Sequence, residues 1–517
     1  MDGATCAQVK KHLKFCEELR GSGERLNTEI EAADTETRNT SSAGNVNCDV
    51  AVVGGGLAGL ASACALADAG YRVQLLERRP YVGGRASSYE HPGTGEIVDN
   101  CQHLLLGSCT NLIEFYRRLG VEDRIQWFDR FTFLEPGGRR SDLYPGNLPA
   151  PLHNTVSFLE ARAFTLADKV AIARAMMALL QGVPNDTPEN FAHWLERHGQ
   201  TSASVDRFWR PLMHSALNDD LDRLSVRYAG MVIRSSFMSS PVAGRMGFPT
   251  IPLSELYSHA LQYIRARGGD VLLRTSAEGF SFHAETQRWS VAGQRNGQGV
   301  RIDAGAVILA LPFEATQKLL PALPVLAADM DNKLPDQLAH FEHSPITGIH
   351  LWFDRKITDI PHAVLLDTTI QWMFNKSLLQ PQTRENAAGD YLELVVSASK
   401  TLVPMQRQEI LDLALTELAQ FFPAVRQAKV LKATVVKEVR ATFCVTPGLD
   451  AYRPGPVTAW PGVFLAGDWM ATGWPATMEG AVRSGYLAAE AYARSQKREQ
   501  KFLQPDLPVQ GLMRIFG

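Results

Sequence analysis

The sequence predicts an α/β fold, in which a Rossmann-like nucleotide-binding domain is interleaved with an α+β substrate domain that has a helical insertion. Three stretches indicate this. Residues 49–77 read as strand, glycine turn, helix and strand; residues 131–247 are mostly helical in pattern; residues 463–494 read as a strand followed by a helix of small residues. Strands and helices also alternate between these stretches, so we expect the first domain to be built from separate pieces of chain.

The strongest motif is the glycine turn after the first strand. Gly54, Gly56 and Gly59 have the GxGxxG spacing, and Glu77 ends the next strand 23 residues after Gly54. The first glycine makes a tight turn, the second lets the backbone approach a pyrophosphate, and the third lets the helix pack closely on the strand. The Glu77 carboxylate would accept hydrogen bonds from an adenosine ribose and repel a 2′-phosphate. The motif therefore predicts a bound dinucleotide and disfavours NADP.

A glycine pair follows in the loop after the second strand. Gly83, Gly84 and Arg85 suit a backbone that passes close to a cofactor, with a guanidinium available for a phosphate or ring oxygen. A simple turn is the alternative. Cys101 and His103 lie in a later turn, where the histidine either approaches the cofactor or packs as a satisfied buried side chain.

The middle of the chain is predicted to carry the second domain. Apolar residues recur at helical spacing over Leu166 to Leu180, Thr187-Pro188-Glu189 resembles a helix cap that opens a helix to His198, and further helices are expected at 202–217 and 224–238. The methionine and aromatic content of this insertion fits an ordinary core or a flexible apolar cavity for a long hydrocarbon, and composition leaves both open.

The second strong motif lies near the end of the chain. Val463 to Ala466 reads as a buried strand, Gly467 and Asp468 follow it, and a helix begins near Pro475 or Thr477. A helix N-terminus at the pyrimidine edge of a flavin would favour the anionic reduced ring by about 1 kcal/mol or more. Asp468 would accept hydrogen bonds from ribityl hydroxyls. A packed strand–helix pair without a ligand is the alternative.

Composition narrows the function classes. The 517 residues carry 52 basic and 55 acidic side chains, a net charge of −3, so no nucleic-acid partner is expected. The seven cysteines form no CxxC pair, and no histidine cluster has metal-ligand spacing, so no metal site is predicted and the scattered thiols favour a reduced cytosolic protein. No run approaches ~18 apolar residues, which predicts no membrane-spanning helix.

The same patterns set the expected domain boundaries. Residues 1–47 are polar and lack the apolar core of a signal peptide, so we expect a poorly ordered extension, with a short helix possible only at Lys10 to Leu19. The remaining segments are 48–130, 248–320 and 425–495 for the cofactor-binding domain, 131–247 and 321–424 for the substrate domain, and 496–517 for a C-terminal tail.

Several segments resemble the flavin-dependent amine oxidase and phytoene desaturase superfamily: GGGLAGL with Glu77, then GGR, then LAGDW with its glycine-bearing helix. Within it the chain resembles most the squalene-associated FAD-dependent desaturases, the hydroxysqualene dehydroxylases of bacterial hopanoid synthesis. The resemblance covers about Cys48 to Arg494. The segments that carry it are DNCQHLLLGSCTNL, FWRPLMHSALNDDLDR, GFPTIPLSELY, ATFCVTPGLDAYRP and GDWMATGWPATMEGAVRSGYLAAE.

This resemblance implies FAD as the cofactor and assigns residues to it. The positions that match the family's contacts run from the ADP half, through the pyrophosphate, to the ribityl chain and flavin ring: Gly54, Gly56, Gly59, Glu77 and the backbone of Ala277; Gly84 and Arg85; Gly467, Asp468 and Met478. One position departs from the pattern. Cys101 in DNCQH stands where the family has a small residue such as glycine.

The implied reaction is reductive: hydroxysqualene and reduced FAD give squalene, water and oxidised FAD. The hydroxyl is allylic, so its loss as water leaves a delocalised cation that a hydride quenches. The protein must exclude water, supply a proton to the leaving oxygen and align the carbon with the flavin. No residue is assigned as the acid. His103, His214, Asp219 and Asp220 are candidates, and the two aspartates also fit a solvated turn or helix cap.

Three other functions are compatible with parts of the sequence. A carotenoid-type desaturase would use the same flavin site in the oxidative direction. A flavin amine oxidase would need an aromatic cage, which Trp469 and Trp474 resemble, although no acidic residue is placed for an ammonium group. A non-catalytic FAD-binding or lipid-chaperone protein would hold a flavin that cannot be reduced.

The implied substrate also predicts a location. A long-chain isoprenoid such as hydroxysqualene partitions into bilayers, yet no spanning helix is predicted. We therefore expect a cytoplasmic protein that docks peripherally on the membrane surface through apolar patches of the helical insertion, and that is functionally coupled to the enzymes making hydroxysqualene.

Overall fold

The computed structural model describes residues 46–325, 331–381 and 389–516. The predicted helix at Lys10–Leu19 lies outside the described residues. The predicted boundary after residue 47 is wrong, because Val46 and Asn47 begin the first strand and pair in parallel with Ile302 and Asp303; residues 1–45 lie outside the described residues.

The strands of the described residues, in chain order, are β1 Val46–Val53, β2 Val73–Glu77, β3 Ser88–Glu90, β4 Ile97–Asp99, β5 Leu105–Leu106, β6 Ile125–Phe128, β7 Phe131–Leu134, β8 Arg140–Leu143, β9 Met246–Pro249, β10 Asp270–Leu273, β11 Thr275–His283, β12 Arg288–Arg295, β13 Gln298–Leu309, β14 His343–Phe353, β15 His362–Leu365, β16 Trp372–Asn375, β17 Tyr391–Ser397, β18 Val430–Phe443 and β19 Val463–Leu465.

The α-helices of the same ranges are α1 Leu57–Asp68, α2 Thr110–Leu119, α3 Thr155–Glu160, α4 Leu166–Gln181, α5 Phe191–Arg197, α6 Ser202–Ser204, α7 Arg210–Leu217, α8 Val226–Val232, α9 Leu253–Arg265, α10 Phe313–Leu319, α11 Leu334–Leu338, α12 Lys376–Leu379, α13 Arg407–Phe421 and α14 Met478–Ser495. A π-helical turn over Val205–Trp209 joins α6 to α7, and another over Ile233–Met238 extends α8.

The first sheet has the nucleotide-binding arrangement that the sequence predicts. Its order is β10–β2–β1–β13, with β19 also beside β13, and these five strands are parallel; β11 and β12 continue from β13 as antiparallel strands. Parallel strands end at a common edge of the sheet, and ligands bind in the crevice outside that edge. The glycine turn after β1, Glu77 at the end of β2 and Gly467 after β19 are all brought to this edge.

The second sheet has the order β18–β14–β17–β16–β15–β7–β8. It corrects one domain boundary. The sequence predicts that the cofactor-binding domain resumes at residue 425, but β18 forms a long antiparallel ladder with β14 and so belongs to the substrate sheet. The chain returns to the first sheet only at β19. The error arises because the sequence of a strand at the edge of a sheet does not indicate which strand it will pair with.

Most predicted elements lie where the patterns place them. The helix over Thr110–Leu119 and its left-handed C-cap Gly120 are found as predicted, as is the strand Tyr391–Ser397. The predicted cap at Thr187 is wrong. Helix α5 begins at Phe191, because the side chain of Asn190 accepts a hydrogen bond from the His193 N–H at 2.9 Å and caps the helix there.

Helices α1 and α14 cross at a glycine, which allows unusually close contact. A Cβ added at Gly485 would lie 2.3 Å from the Ala58 carbonyl oxygen and 3.0 Å from the Ser62 nitrogen. Both of these atoms belong to α1, the helix that begins at the glycine turn. This contact therefore fixes α14 against α1 and sets where both N-termini point.

We expect Gly485→Ala to lower the melting temperature. Replacing an interior helical glycine by alanine normally raises the free energy of unfolding by about 1 kcal/mol. Here the new Cβ must push α1 away, and such overpacking typically lowers the free energy of unfolding by about 1–3 kcal/mol. Gly299→Ala is the control, because its Cβ would meet nothing within 4 Å. A higher melting temperature for Gly485→Ala than for the wild type would contradict the packing described.

Candidate active site

A cavity of about 660 Å³ opens at the carboxyl edge of the first sheet and extends to the face of the second. Its walls contain nine of the ten residues that the sequence assigns to the cofactor, and these come from five separate parts of the chain: Gly54, Gly56, Glu77, Gly84, Arg85, Ala277, Gly467, Asp468 and Met478. The tenth, Gly59, lies behind the wall in α1. The prediction that these residues share one site thus agrees with their positions.

The glycine turn has the geometry that each position requires. Gly54 has φ +113°, and a Cβ there would lie 2.4 Å from the Ala310 carbonyl oxygen. A Cβ at Gly59 would lie 1.9 Å from the Gly54 oxygen, so this glycine is needed for helix–strand packing. Gly56 differs, since the nearest atom to its added Cβ is the Gly84 Cα at 3.9 Å. A side chain at Gly56 would project into the cavity and occupy the space of a pyrophosphate.

The carboxylate of Glu77 is held in place by backbone groups. Its Oε2 accepts a hydrogen bond from the Gly55 N–H at 2.7 Å, and its Oε1 accepts one from the Arg79 N–H at 2.8 Å. The Arg79 guanidinium in turn donates to the Gly84 carbonyl at 2.8 Å. The carboxylate, the glycine turn and the glycine pair are therefore one hydrogen-bonded unit at the adenosine end of the cavity.

Arg85 and Asp468 form an ion pair across the cavity wall. The Arg85 Nη2 lies 2.6 Å from the Asp468 Oδ1, and the Arg85 Nη1 donates to the Ala441 carbonyl at 3.1 Å. The Asp468 side chain is 7% exposed and that of Arg85 31%. Two residues predicted from separate motifs, 383 positions apart, are thus in direct contact, and this contact joins both ends of the chain to β18 of the substrate sheet.

Arg453 is a positioning residue that the sequence does not reveal. Its side chain is fully buried, its Nη2 donates to the Asp468 carbonyl at 3.0 Å, and its Nε donates to the Trp469 carbonyl at 3.2 Å. It also contacts the hydroxyl of Tyr228 in the helical insertion. Arg453 therefore fixes the loop after β19 from behind. A single arginine in a proline-containing loop carries no pattern that would have predicted this.

Helix α14 begins at the cavity, as predicted. Thr477 is its N-cap, with a side chain that accepts a hydrogen bond from the Gly480 N–H at 3.0 Å. Glu479 in the first turn is fully buried, and its carboxylate accepts hydrogen bonds from the N–H groups of Asn111 and Leu112 at the start of α2. The charge of that carboxylate is therefore neutralised by Arg483 and the α2 backbone, and the helix N-terminus remains available to a negatively charged ring edge.

The second sheet and the insertion form the other half of the cavity, which we call the apolar half because aromatic and aliphatic side chains line it between polar ones such as Asn218 and Ser397. The second sheet supplies Trp372 and Phe374, whose rings stack with centroids 5.4 Å apart and planes within 1°. Other apolar residues here come from the sheet, the insertion and the loop after β4, namely Ile346, Val395, Ala216, Met231, Val232, Leu104, Leu105 and Leu106. The insertion also packs its own core, with Phe191 and Trp209 fully buried. Residues of the insertion therefore contribute both to a packed core and to the cavity wall.

Of the four candidate acids, His103 is the one on the cavity wall. Its Nδ1 lies 2.7 Å from the Cys101 carbonyl oxygen, to which it donates, and burial lowers the pKa of His103. His214 lies behind Ser215; its Nδ1 is 3.0 Å from the Gln371 Nε2, and burial lowers the pKa of His214 to about 4. Both rings are therefore neutral near pH 7.

The two aspartates are excluded as acids by their partners. Asp219 is fully buried, and Lys400 and Arg223 lie 2.6 and 3.1 Å from its carboxylate oxygens. Asp220 pairs with the same lysine at 2.9 Å. The interpretation as a solvated turn is wrong for Asp219, whose charge is balanced inside the protein.

The two tryptophans near Asp468 do not form an aromatic cage. Trp469 is fully buried and donates a hydrogen bond from its Nε1 to the Leu311 carbonyl at 2.9 Å. Its ring packs directly against Gly467. Trp474 lines the cavity, and the Arg483 guanidinium lies 4.9 Å from its ring centroid. Trp469 is part of the packed interior, and the ring of Trp474 already faces the Arg483 guanidinium. Neither ring is therefore available to surround a substrate ammonium group.

A set of charged residues lies buried behind the cavity wall and is bound to Gln102, which forms part of that wall. Lys376 at the start of α12 donates to the Asp99 Oδ2 at 2.6 Å and to the Gln102 Oε1 at 2.8 Å, and its Nζ is 3.6 Å from the Glu393 Oε2. We call Asp99, Gln102, Lys376 and Glu393 the buried charge cluster. The one sequence signal for it is a charged residue inside an apolar strand, as in YLELVVS, and its partners are not readable from the sequence.

None of the cysteines in the described ranges forms a disulfide. The five cysteines in the described ranges are buried and free, in agreement with reduced thiols. Cys101, the departure from the family pattern, lines the cavity, and burial holds the pKa of its thiol well above the usual range. No group of three or more potential metal ligands occurs in residues 46–325, 331–381 and 389–516.

We expect Glu77→Gln to weaken FAD binding by about tenfold. A hydrogen bond to a charged acceptor contributes about 1.5–3 kcal/mol, and the neutral amide retains only part of it. The Kd is measured by flavin fluorescence during reconstitution of the apoprotein. Glu90→Gln, at an exposed carboxylate on β3, is the control. Equal FAD affinity in Glu77→Gln and the wild type would show that this carboxylate does not hold the ribose.

The comparisons with known proteins agree with this geometry. The model of the flavin-containing amine oxidoreductase family matches residues 57–492. A 15-cis-phytoene desaturase of Synechococcus elongatus is 28% identical over 87% of this chain and 97% of its own length. A hydroxysqualene dehydroxylase of Rhodopseudomonas palustris is 30% identical over 85% of this chain and 97% of its own.

Solved structures show the same fold. An oxidoreductase from Methanosarcina mazei superposes with a TM-score of 0.65 at 18% identity, covering 84% of this chain and 98% of that one. The glycine cradle, the backbone-held Glu77 and the helix N-terminus at the cavity all fit FAD, in agreement with a family described as flavin-containing. The chain is a member of the flavin-containing amine oxidoreductase family and an FAD-dependent enzyme of its amine oxidase and desaturase superfamily.

Proposed function

We propose that this enzyme reduces hydroxysqualene to squalene with loss of water, using reduced FAD, as a step of squalene and hopanoid synthesis. The observation that carries the proposal is the shape and chemistry of the cavity. It continues from the dinucleotide residues into an apolar half that suits a hydrocarbon chain, and hydroxyl groups interrupt the apolar wall. A relative of the same named activity, 30% identical over most of both chains, supports the choice.

The hydroxyl groups are the feature that distinguishes an alcohol from a hydrocarbon substrate. Ser108 and Ser236 both line the cavity, and their Oγ atoms are 3.0 Å apart. Ser215 lines it as well, and its Oγ accepts a hydrogen bond from the Trp372 Nε1 at 2.5 Å. Hydroxyls retain lone pairs and rotate freely, so they can bind a substrate hydroxyl that a polyene lacks.

Bound and reduced FAD supplies the hydride. Among the chain's residues, Trp372 and Phe374 present parallel aromatic rings along the apolar half. Aromatic faces stabilise a delocalised cation, and their bulk excludes the water that would otherwise capture it. Arg85 and Asp468 hold the loop at the flavin end, and Arg453 fixes that loop from behind. The residues thereby align the reacting carbon and keep its surroundings dry.

A carotenoid-type desaturase is the second candidate, because the phytoene desaturase relative is 28% identical over nearly the same span. It would use the same aromatic pair in the oxidative direction. The amine oxidase alternative is disfavoured by the positions of Trp469 and Trp474, and a non-catalytic role by the complete cofactor site.

The test is anaerobic. Reduced holoenzyme mixed with hydroxysqualene is expected to give squalene, identified by mass, together with reoxidised flavin. The variant Ala216→Phe is expected to slow this turnover, because its larger side chain narrows the apolar half of the cavity. FAD binding by this variant should remain intact. Ala284→Phe, on an exposed turn, is the control. A flavin that stays reduced with hydroxysqualene, but becomes reduced when oxidised enzyme meets phytoene, would favour the desaturase instead.

We further propose that the enzyme works in the cytoplasm, docked peripherally on the membrane. In the described residues no helix is long and apolar enough to cross a bilayer. The support is an exposed apolar face on the helical insertion, formed by Leu148, Leu152, Val156, Leu159, Leu166, Val170 and Met177, each more than 40% exposed. Exposed basic residues Arg162 and Arg174 border it and suit anionic headgroups. A docked enzyme would receive its substrate from the hydroxysqualene-forming enzymes through the bilayer.

We expect Leu166→Glu with Val170→Glu to reduce binding to liposomes at least about tenfold, since each buried aliphatic side chain contributes about 1.5–3 kcal/mol. Flotation with vesicles that contain anionic phospholipid measures it. Leu431→Glu, an exposed apolar residue on β18, is the control. If wild-type protein fails to float with the vesicles, the proposed docking is wrong.

A further inference from the structure

Glu393 is the member of the buried charge cluster whose charge is least compensated. Its side chain is fully buried in the middle of β17, and neither carboxylate oxygen has a donor at full hydrogen-bonding geometry. The Gln102 backbone and Lys376 act on the carboxylate only weakly, and both lower its pKa. The cation within 4 Å of it, Lys376, lies at 3.6 Å and already donates to Asp99 and Gln102 at shorter distances. An ionised carboxylate in such a position is costly unless it binds a proton.

The carboxyl group lies one side chain behind the cavity wall. Phe374 pairs with Glu393 directly across β16 and β17 and lines the cavity. Val395, two residues along the same face of the strand, lines it as well. On the other side, Cys101 and Gln102 are cavity residues, and Gln102 is bound to the same lysine as Glu393. Buried side chains therefore separate Glu393 from the cavity, and a charge in the cavity interacts strongly with the carboxylate across this low-dielectric layer.

The charges around Glu393 add up to one excess negative charge when it is ionised. Lys376 balances Asp99: burial would raise the pKa of Asp99, but the lysine holds it below the usual range. His350, directly opposite on β14, is neutral, because burial and then Lys376 lower its pKa to about 3. Burial raises the pKa of Glu393 to about 7, with Lys376 opposing and Asp99 adding to the shift.

The remaining titratable groups near the cluster do not supply a balancing charge. On the loop after β4, burial lowers the pKa of His103 and raises that of the Cys101 thiol, so both are neutral. The Tyr391 hydroxyl bonds to His350 at 2.7 Å. Glu438 on β18 is a further carboxylate, bound to the Asn100 side chain at 3.1 Å.

We propose that Glu393 stores the proton of the flavin reaction: it binds a proton when the FAD is reduced and releases it when the FAD is oxidised. The inference deepens the proposed function and rests on its flavin chemistry, not on the choice of substrate. Reduction by two electrons and one proton adds a negative charge to the cavity, and by linkage a nearby carboxyl then binds its own proton more tightly.

The proposed step balances. Protonated Glu393, the hydride from reduced FAD and the alcohol together give ionised Glu393, oxidised FAD, the hydrocarbon and water, with one negative charge on each side. The departing oxygen consumes one proton and Glu393 releases one, so the protons balance without direct transfer between them, and the C–O bond that breaks is replaced by a C–H bond. Glu393 acts from behind the wall, so it is a positioning and proton-storing residue and does not contact the substrate.

The experiment measures proton uptake on anaerobic photoreduction of the holoenzyme, with a pH-indicator dye in weakly buffered solution, from about pH 6 to about pH 9. Wild type is compared with Glu393→Gln and with Glu417→Gln, a buried glutamate that accepts hydrogen bonds from the Thr369 and Ile370 N–H groups away from the cavity. Well below pH 7 Glu393 is protonated in both redox states, so all three proteins should agree. Above about pH 7, wild type and Glu417→Gln should take up more protons per flavin than Glu393→Gln, by up to one.

Infrared difference spectra provide the second readout. Reduction of the wild type should add a protonated carboxyl band that Glu393→Gln lacks; if that variant does not retain FAD, Glu393→Asp should keep the band at a shifted position. Equal proton uptake in wild type and Glu393→Gln at every pH, or a carboxyl band unchanged by reduction or by either variant, would overturn the proposal. No substrate is present, so neither result depends on whether hydroxysqualene is the substrate.

Discussion

The ion pair between Arg85 and Asp468 is the contact on which the site depends. It joins the loop after β2 to the loop after β19, and Arg85 extends it to the Ala441 carbonyl in the substrate sheet. Arg453 holds the same loop from behind through two backbone carbonyls. A cavity between two sheets has a defined width only if something fixes the sheets relative to each other. These two arginines do so with charge-assisted hydrogen bonds, which are short and directional.

Close packing of glycines provides the same constraint at the other end. Gly59 lets α1 contact the turn at Gly54, and Gly485 lets α14 contact α1. The two helices whose N-termini border the cavity are thereby locked together. Their dipoles would act on bound FAD from fixed directions, that of α1 on the pyrophosphate and that of α14 on the flavin ring. The substrate half has no such requirement, and it is built from larger aromatic and aliphatic side chains.

Much of the cofactor half is predictable from sequence because its chemistry depends on local geometry. Gly54, Gly56, Gly59 and Glu77 lie within one strand–helix–strand unit, where spacing fixes position, and the structure places them accordingly. The cap at Asn190 and the sheet membership of β18 were mispredicted. In each case several sequence positions satisfy the same local rule, and tertiary contacts decide between them.

The features that sequence did not reveal all depend on contacts between distant residues. Arg453, the buried charge cluster and the partners of Asp219 involve side chains separated by tens to hundreds of positions, with no spacing rule. A glutamate inside an apolar strand signals that a partner exists, but only the fold shows that the partner of Glu393 is Lys376. The chemistry of a flavin enzyme is set by such groups as much as by its cofactor motif.

The most direct test of the account is a structure of the protein with FAD bound. We expect the adenosine ribose at Glu77, the pyrophosphate against Gly56 and Gly84, and the flavin ring beside Met478, with one face open to Trp372 and Phe374. A flavin ring that lies outside the apolar half, or an adenosine that does not contact Glu77, would contradict the single continuous cavity from which function was inferred.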